Sequence, residues 1–381
     1  MASKEKVSGR FALTVAHVAG MVDLVALPVW IAALISTYGF DTQQAGGLVT
    51  LFLIGAVIAS IILAPMFNRF SGRAVATIGF VAAAVVMGLA STQTAFGPLA
   101  IAHLLAGVSV GSALSFVHGT MGRSLNPHRM FAIAGTALGV FAIVFLGAAP
   151  QVIKAQGGSI LFVIFAGLMA IAALVSLAFF PRPSVQAETA TLEPTTKFGK
   201  AVWAGIIGVS LMAINQSMVF AFFQQLGEDR GFGLGAVTGV LVALGFVNLF
   251  PAPLAAFLEK RLNAQKVAMT GPVVQAALAL VIMLSSTFMP YALAGAVYVA
   301  VMIFTHTFAF GLLSRLDPSG RAVASTPAML MIGSAVGPVL GGTLIKFSGY
   351  PAIGFAACVV AVIAVAMFSQ AKQQESLIAA E

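Results

Sequence analysis

Asp23 lies in the middle of the apolar run Val15 to Leu34, VAHVAGMVDLVALPVWIAAL. A carboxyl at the centre of a membrane helix costs about 2.5–3.5 kcal/mol on insertion scales, so intramembrane acids are rare and point to function by default. Every other Asp and Glu falls at the end of an apolar run or between runs. A solitary intramembrane carboxyl can hold a proton or a cationic group. The structural alternative is a protonated acid hydrogen-bonded to a neighbouring helix. Trp30 follows seven residues after Asp23, on the same helical face. Gly20 leaves room for water or ligand one turn earlier, and Pro28 removes a backbone bond nearby, a plausible hinge.

The chain has five histidines: His17, His103, His118, His128 and His306. Chains of acids and imidazoles move protons in pumps and transporters. His17 and Asp23 are six residues apart and point to different sides of one helix, so they do not form an obvious pair. His306, between Thr305 and Thr307, is the preferred imidazole for a proton role, although helix packing would also explain each buried histidine. No two histidines stand at i and i+4, and the single Cys358 stands apart from them, so no metal site is expected. Neither a nucleophile–base motif nor a cofactor fingerprint occurs, and no Gly-Lys-Ser/Thr segment is present to hold ATP. An enzyme is therefore not expected, and no cofactor.

Composition fixes what must carry these groups. Of 381 residues 60% are hydrophobic and 8% charged, with a mean hydropathy of +1.04. A water-soluble domain carries about 25% charged residues, so this chain is read as a polytopic membrane protein. Its apolar runs are continuous, without the alternation of a transmembrane barrel. About 20 apolar residues make one span. Twelve such runs are predicted at about 12–36, 45–66, 74–94, 97–119, 131–150, 158–180, 200–224, 232–257, 266–288, 290–313, 323–345 and 351–369. With this count, 16 of the 19 Lys and Arg fall on the face that carries the N-terminus. The positive-inside rule then places both termini in the cytoplasm. The first run is too long for a cleavable signal and reads as a retained helix. The net charge of +8 reflects this topology, not a nucleic-acid patch, which would need clustering on one element.

The polar stretch Pro181 to Lys200, PRPSVQAETATLEPTTKFGK, divides six spans from six. Three domains are thus expected: a bundle at 1–180, a cytoplasmic linker at 181–199 and a second bundle at 200–381. The halves repeat. Asn68 and Glu259, Asn126 and Asp317, and Pro127 and Pro318 are each 191 residues apart, while Asp23 to Asn215 and Trp30 to Phe222 are shifts of 192. Parallel repeats of this kind place a binding site at their interface near the bilayer midplane.

In these respects the chain resembles the major facilitator superfamily, over nearly its whole length. That family's signature loop between helices 2 and 3 is Gly-x-x-x-Asp-Arg-x-Gly-Arg-Arg. Here the segment reads Ala64-Pro65-Met66-Phe67-Asn68-Arg69-Phe70-Ser71-Gly72-Arg73, with Arg69 and Arg73 on the basic positions and Asn68 in place of the acid. The resemblance assigns Asn68, Arg69 and Arg73 to a gating latch between the halves, weakened by loss of the charge at Asn68. Helix 4 carries His103 before Gly107 and Gly111 where many members have a buried Arg. Span 11 carries Gly333, Gly337, Pro338, Gly341 and Gly342, read here as close helix packing with a bend at Pro338, because the antiporter signature of the family belongs in helix 5. Helices 1, 4, 7 and 10 line the cavity in this family. This makes Trp30, Asn215, Gln216, Phe222 and His118 cavity candidates, and Asp23 and His306 the proton-coupling ones.

The resemblance implies an all-α fold of two pseudo-symmetric six-helix bundles that carries a small-molecule substrate by alternating access. No Lys or Arg lies well inside any span, so the cavity suits a neutral or cationic, fairly apolar substrate. The expected protein is a proton-coupled exporter acting by antiport, monomeric, in a bacterial inner membrane, with lipid, protons and substrate as its partners. Uptake by symport of a small metabolite such as a monocarboxylate, and a membrane sensor or assembly partner that does not transport, are the alternatives.

Overall fold

The computed structural model describes residues 7–63, 66–181, 198–317, 322 and 326–378, apart from the side chains of 128, 326–327 and 372–378. Among the described residues there is no strand, and twelve helices are long and apolar enough to cross a membrane. Spans 1 to 6 are Val7–Ser36, Thr42–Leu63, Gly72–Ala90, Phe96–Gly122, Arg129–Gln156 and Ser159–Phe179. Spans 7 to 12 are Lys200–Asp229, Leu234–Leu258, Ala264–Leu284, Phe288–Leu316, Ala328–Ser348 and Pro351–Ala371. Number and order agree with the hydropathy pattern. Most of the expected linker, and Ala64, Pro65 and Pro318, lie outside the described residues.

Three spans are interrupted. Span 1 is helical over Val7–Gly20 and again over Val22–Ser36, so a turn at Met21 starts a new helix two residues before Asp23. Span 7 breaks at Phe222 between Lys200–Ala221 and Phe223–Asp229. Span 8 breaks between Leu234–Val247 and Pro251–Leu258, where Pro251 supplies no N–H to continue the ladder. At the opposite end of span 1, Gly39 adopts a φ of 70° and lets the chain reverse into span 2.

The chain sorts into two compact units. One comprises Met1–Ala26 and Leu51–Thr195, the other Leu27–Thr50 and Thr196–Glu381. In the first unit, spans 2 and 4 meet through glycine. A Cβ on Gly107 would collide with the backbone of Phe52, one on Gly111 with Ala56, and one on Gly55 with Leu104. Lipid offers no hydrophobic drive for helices to associate, so small residues that admit close backbone contact hold them. In the second unit, Gly333, Gly337 and Gly341 of span 11 play this part against Ser210, Ser217 and Met218 of span 7, as the packing reading expects.

The segment Leu27–Thr50 is bonded to span 11. Pro338 lies within that helix. Next to it, the Val339 N–H donates to Thr50 Oγ1 at 3.2 Å, and Thr50 Oγ1 donates to the Ala335 carbonyl at 2.8 Å. A hydroxyl thus stands inside the i→i−4 ladder, a recognised cause of helix bending. Further out, Thr42 Oγ1 donates to the Gly342 carbonyl at 2.8 Å. Lys346 Nζ donates to Asp41 Oδ2 at 2.9 Å and to Gln43 Oε1 at 3.1 Å.

Two positions that the sequence repeat pairs carry side-chain bonds to the backbone that follows them. Asn126 accepts from the Arg129 N–H at the start of span 5, and its counterpart Asp317 accepts from the Ala322 N–H at the start of the next segment. Both follow an arginine-bearing helix end.

Candidate proton and substrate site

Asp23 sits in the first turn of the second helix of span 1 and is 6% exposed. The first turn of a helix presents N–H groups without helical partners, an electrostatic setting that favours a carboxylate. The Oδ1 of Asp23 is buried with no hydrogen-bond partner. Buried polar atoms are nearly always satisfied, so an orphan of this kind asks for a proton, a water or a ligand. A turn below, Gly20 packs against the Leu114 side chain of span 4, and a Cβ there would come within 2.7 Å of Leu114 Cδ1.

His17 and His118 form a pair that the sequence does not announce. Nδ1 of His17 lies 2.9 Å from Nε2 of His118, with ring centroids 5.1 Å apart. A contact between two ring nitrogens at this distance needs a proton between them, with one imidazole donating and the other accepting. His118 also packs edge-on to Phe131 of span 5. The pair joins span 1 to span 4 inside the first unit. His17 precedes Asp23 by six residues, about 9 Å along a helix, on the side of the N-terminus. His103 lies deeper in span 4, fully buried, with Nδ1 2.7 Å from the Leu99 carbonyl and its ring edge-on to Phe162. The side chain of His128 is outside the described residues.

Trp30 is 1% exposed and belongs to the part of span 1 that packs in the second unit. Although it shares a helical face with Asp23, the two residues fall in different units. Asn215 is 1% exposed and bonded on several sides. Its Nδ2 donates to the Ala357 carbonyl at 3.4 Å, while Tyr298 Oη donates to its backbone oxygen at 2.9 Å and reaches its Oδ1 at 3.5 Å. Gln216 is half-buried and accepts from Gln275 Nε2 of span 9 at 3.2 Å. Phe222, at the break in span 7, is fully buried against Gly341. His306 is half-buried in span 10 with its ring 4.9 Å from Phe310.

The residues of the loop between spans 2 and 3 bond within the first unit. Asn68 Oδ1 accepts from Arg123 at 2.7 Å, and the Arg123 guanidinium lies over the Phe67 ring at 4.2 Å. Arg73 donates to the Leu177 carbonyl at the end of span 6. Arg69 is exposed. Among the described residues no three His, Cys, Asp or Glu gather as a metal site.

The family model of the Major Facilitator Superfamily matches residues 12–318. Comparison with curated proteins returns no match. Solved structures of similar fold include the nucleoside transporter NupG, 16% identical with a TM-score of 0.73, covering 94% of this chain and 98% of that one. A bacterial homologue of the human lysosomal transporter Spinster, inward-facing and occupied, is 16% identical with a TM-score of 0.74 and 96% coverage of both chains. A D-xylose-proton symporter is 15% identical with a TM-score of 0.72, again covering 96% of both. With its family model spanning most of the chain and twelve spans in place, the chain belongs to the major facilitator superfamily of transporters.

Proposed function

We propose that the chain moves a small, neutral or cationic, fairly apolar molecule across a bacterial inner membrane in exchange for protons, and that Asp23 is the group that loads and releases the proton. The observation that carries this reading is the buried, unpartnered Oδ1 of Asp23 at a helix break inside span 1. A proton or a cationic substrate group satisfies that oxygen, and competition between the two couples their movements. The His17–His118 pair supports a path for the proton between Asp23 and the face bearing the N-terminus, because a shared N–H can pass from one ring to the other. His306 is a second proton-binding candidate on span 10. Trp30 and Gln216 remain substrate candidates, whereas Asn215 and Phe222 are proposed to hold span 7 in place.

Alternating access in this reading requires Leu27–Thr50 to leave span 11 when the site opens on that side. The Thr50 hydroxyl, the Thr42–Gly342 bond and the Asp41–Lys346 ion pair are then made and broken in each cycle. Export is the proposed direction by analogy with the family, and the sequence places no Lys or Arg well inside a span to hold an anionic substrate.

The test uses proteoliposomes carrying a pH-sensitive dye and a panel of neutral and cationic organic compounds. A compound that is carried should drive proton movement in wild type. Asp23→Asn should still let that compound run down its own gradient but should move no protons with it. Equal proton movement in both proteins removes Asp23 from the mechanism.

A further inference from the structure

A groove of about 830 Å³ opens between spans 8 and 9, with span 10 as its floor. It lies wholly within the second unit. Its walls are apolar: Phe250 and Leu254 of span 8, Val274 of span 9, and Val297, Val301 and Phe304 of span 10. Several of these are strongly exposed for residues of their kind, Phe250 at 68% and Leu254 at 49%. The inner part of the floor is deep because Gly271 lets span 9 sit directly on Thr305 of span 10.

One end of the groove is different. Arg261 and Lys266 line it where the chain turns from span 8 into span 9. Arg261 is steered by stacking over the Phe257 ring at 5.1 Å. Asn263 holds the turn by accepting from the Lys266 N–H at 3.1 Å. Lys260 adds a third cation to this turn, against the single acid Glu259. Among the described residues neither the Arg261 guanidinium nor Lys266 Nζ has an acidic partner. In the first half, the corresponding turn engages its Arg73 with the Leu177 carbonyl at the end of span 6. The second turn leaves its cations at the mouth of an apolar slot.

We infer that this groove binds an anionic phospholipid, one acyl chain lying along span 10 and the phosphate held by Arg261 and Lys266. The dimensions fit. From Lys266 to Val274 a helix rises about 12 Å, enough for the first part of a chain, and the phosphate then sits at the level of the turn. Basic pockets between helices at this depth are suited to anionic headgroups, and long basic side chains reach the interface while their stems stay on apolar surface. The inference does not depend on which substrate the protein carries or on Asp23.

The full-length protein, stripped of lipid in detergent, is titrated with equal amounts of phosphatidylglycerol and phosphatidylcholine and read by native mass spectrometry. Wild type should keep phosphatidylglycerol in preference. Arg261→Gln with Lys266→Gln should weaken that binding about thirtyfold. Val301→Trp, which fills the slot and leaves both cations, should weaken it as well, and Lys154→Gln at a distant exposed site should leave it unchanged. Elution volume and melting temperature show that each variant is folded. Equal retention of the two lipids by wild type, unchanged binding in either groove variant, or full competition by glycerol phosphate without acyl chains would overturn the inference.

Discussion

Asp23 of span 1 and Asn215 of span 7 are paired by a shift of 192 residues in the sequence, yet their surroundings differ. Asn215 is a neutral amide tied to Tyr298 and Ala357, with donor and acceptor both engaged. Asp23 is a carboxyl with one oxygen left over. One position closes a bundle and the other keeps an unmet bonding capacity inside a membrane. A satisfied buried polar group rigidifies and an unsatisfied one is costly, which is why the proposed proton exchange is placed at Asp23 and not at Asn215.

The largest expected effect separates the two positions outright. Asp23→Asn should abolish proton movement coupled to substrate, while Asn215→Ala should leave coupling in place; vesicle dye assays on both variants check this. A carboxyl at the second position tests the comparison from the other side. Asn215→Asp sets an acid against the Ala357 carbonyl and should cost about 3 kcal/mol of stability without restoring coupling to Asp23→Asn. Tyr298→Phe removes one hydroxyl donor to Asn215 and should cost about 1 kcal/mol, with coupling intact. Thermal unfolding of the purified variants reads both.

The smallest effect concerns the far end of span 1. Burial tends to raise the Asp41 carboxyl, but the Gln44 N–H and the Lys346 ammonium outweigh it and hold the group below the usual aspartate value. A depressed folded value stabilises the protein above the unfolded one, and that contribution is lost as pH falls through the folded value. The side chains of the pair are 38% and 41% exposed, so solvent screens them and the effect stays under about 1 kcal/mol. Lys346→Gln should lower the melting temperature slightly at neutral pH and make no difference at pH values below the aspartate range. A melting difference that grows on acidification contradicts this assignment.

Much of the fold is legible in the sequence because each span is an apolar run of membrane length, and hydropathy reports length well. Asn126 and Asp317, paired by the sequence repeat, each accept from a backbone N–H that follows in the chain. The site is less legible. His17 and His118 are 101 residues apart, and nothing local to either one signals a shared proton. Facing positions on one helix suggest that Asp23 and Trp30 work together, but periodicity cannot register that span 1 changes partners between them. Asn215 reads as a cavity residue from its place in the repeat, whereas its hydrogen bonds come from spans 10 and 12, which only tertiary structure supplies. Thr50 carries no motif, because its role depends on a proline nearly three hundred residues later.

Infrared difference spectroscopy of the purified protein, stepped between acid and neutral pH, tests the central claim most directly. A carbonyl stretch of a buried protonated carboxyl should rise on acidification in wild type and in Asn215→Ala, and should be missing from Asp23→Asn. The same band in Asp23→Asn as in wild type would mean that another group binds the proton.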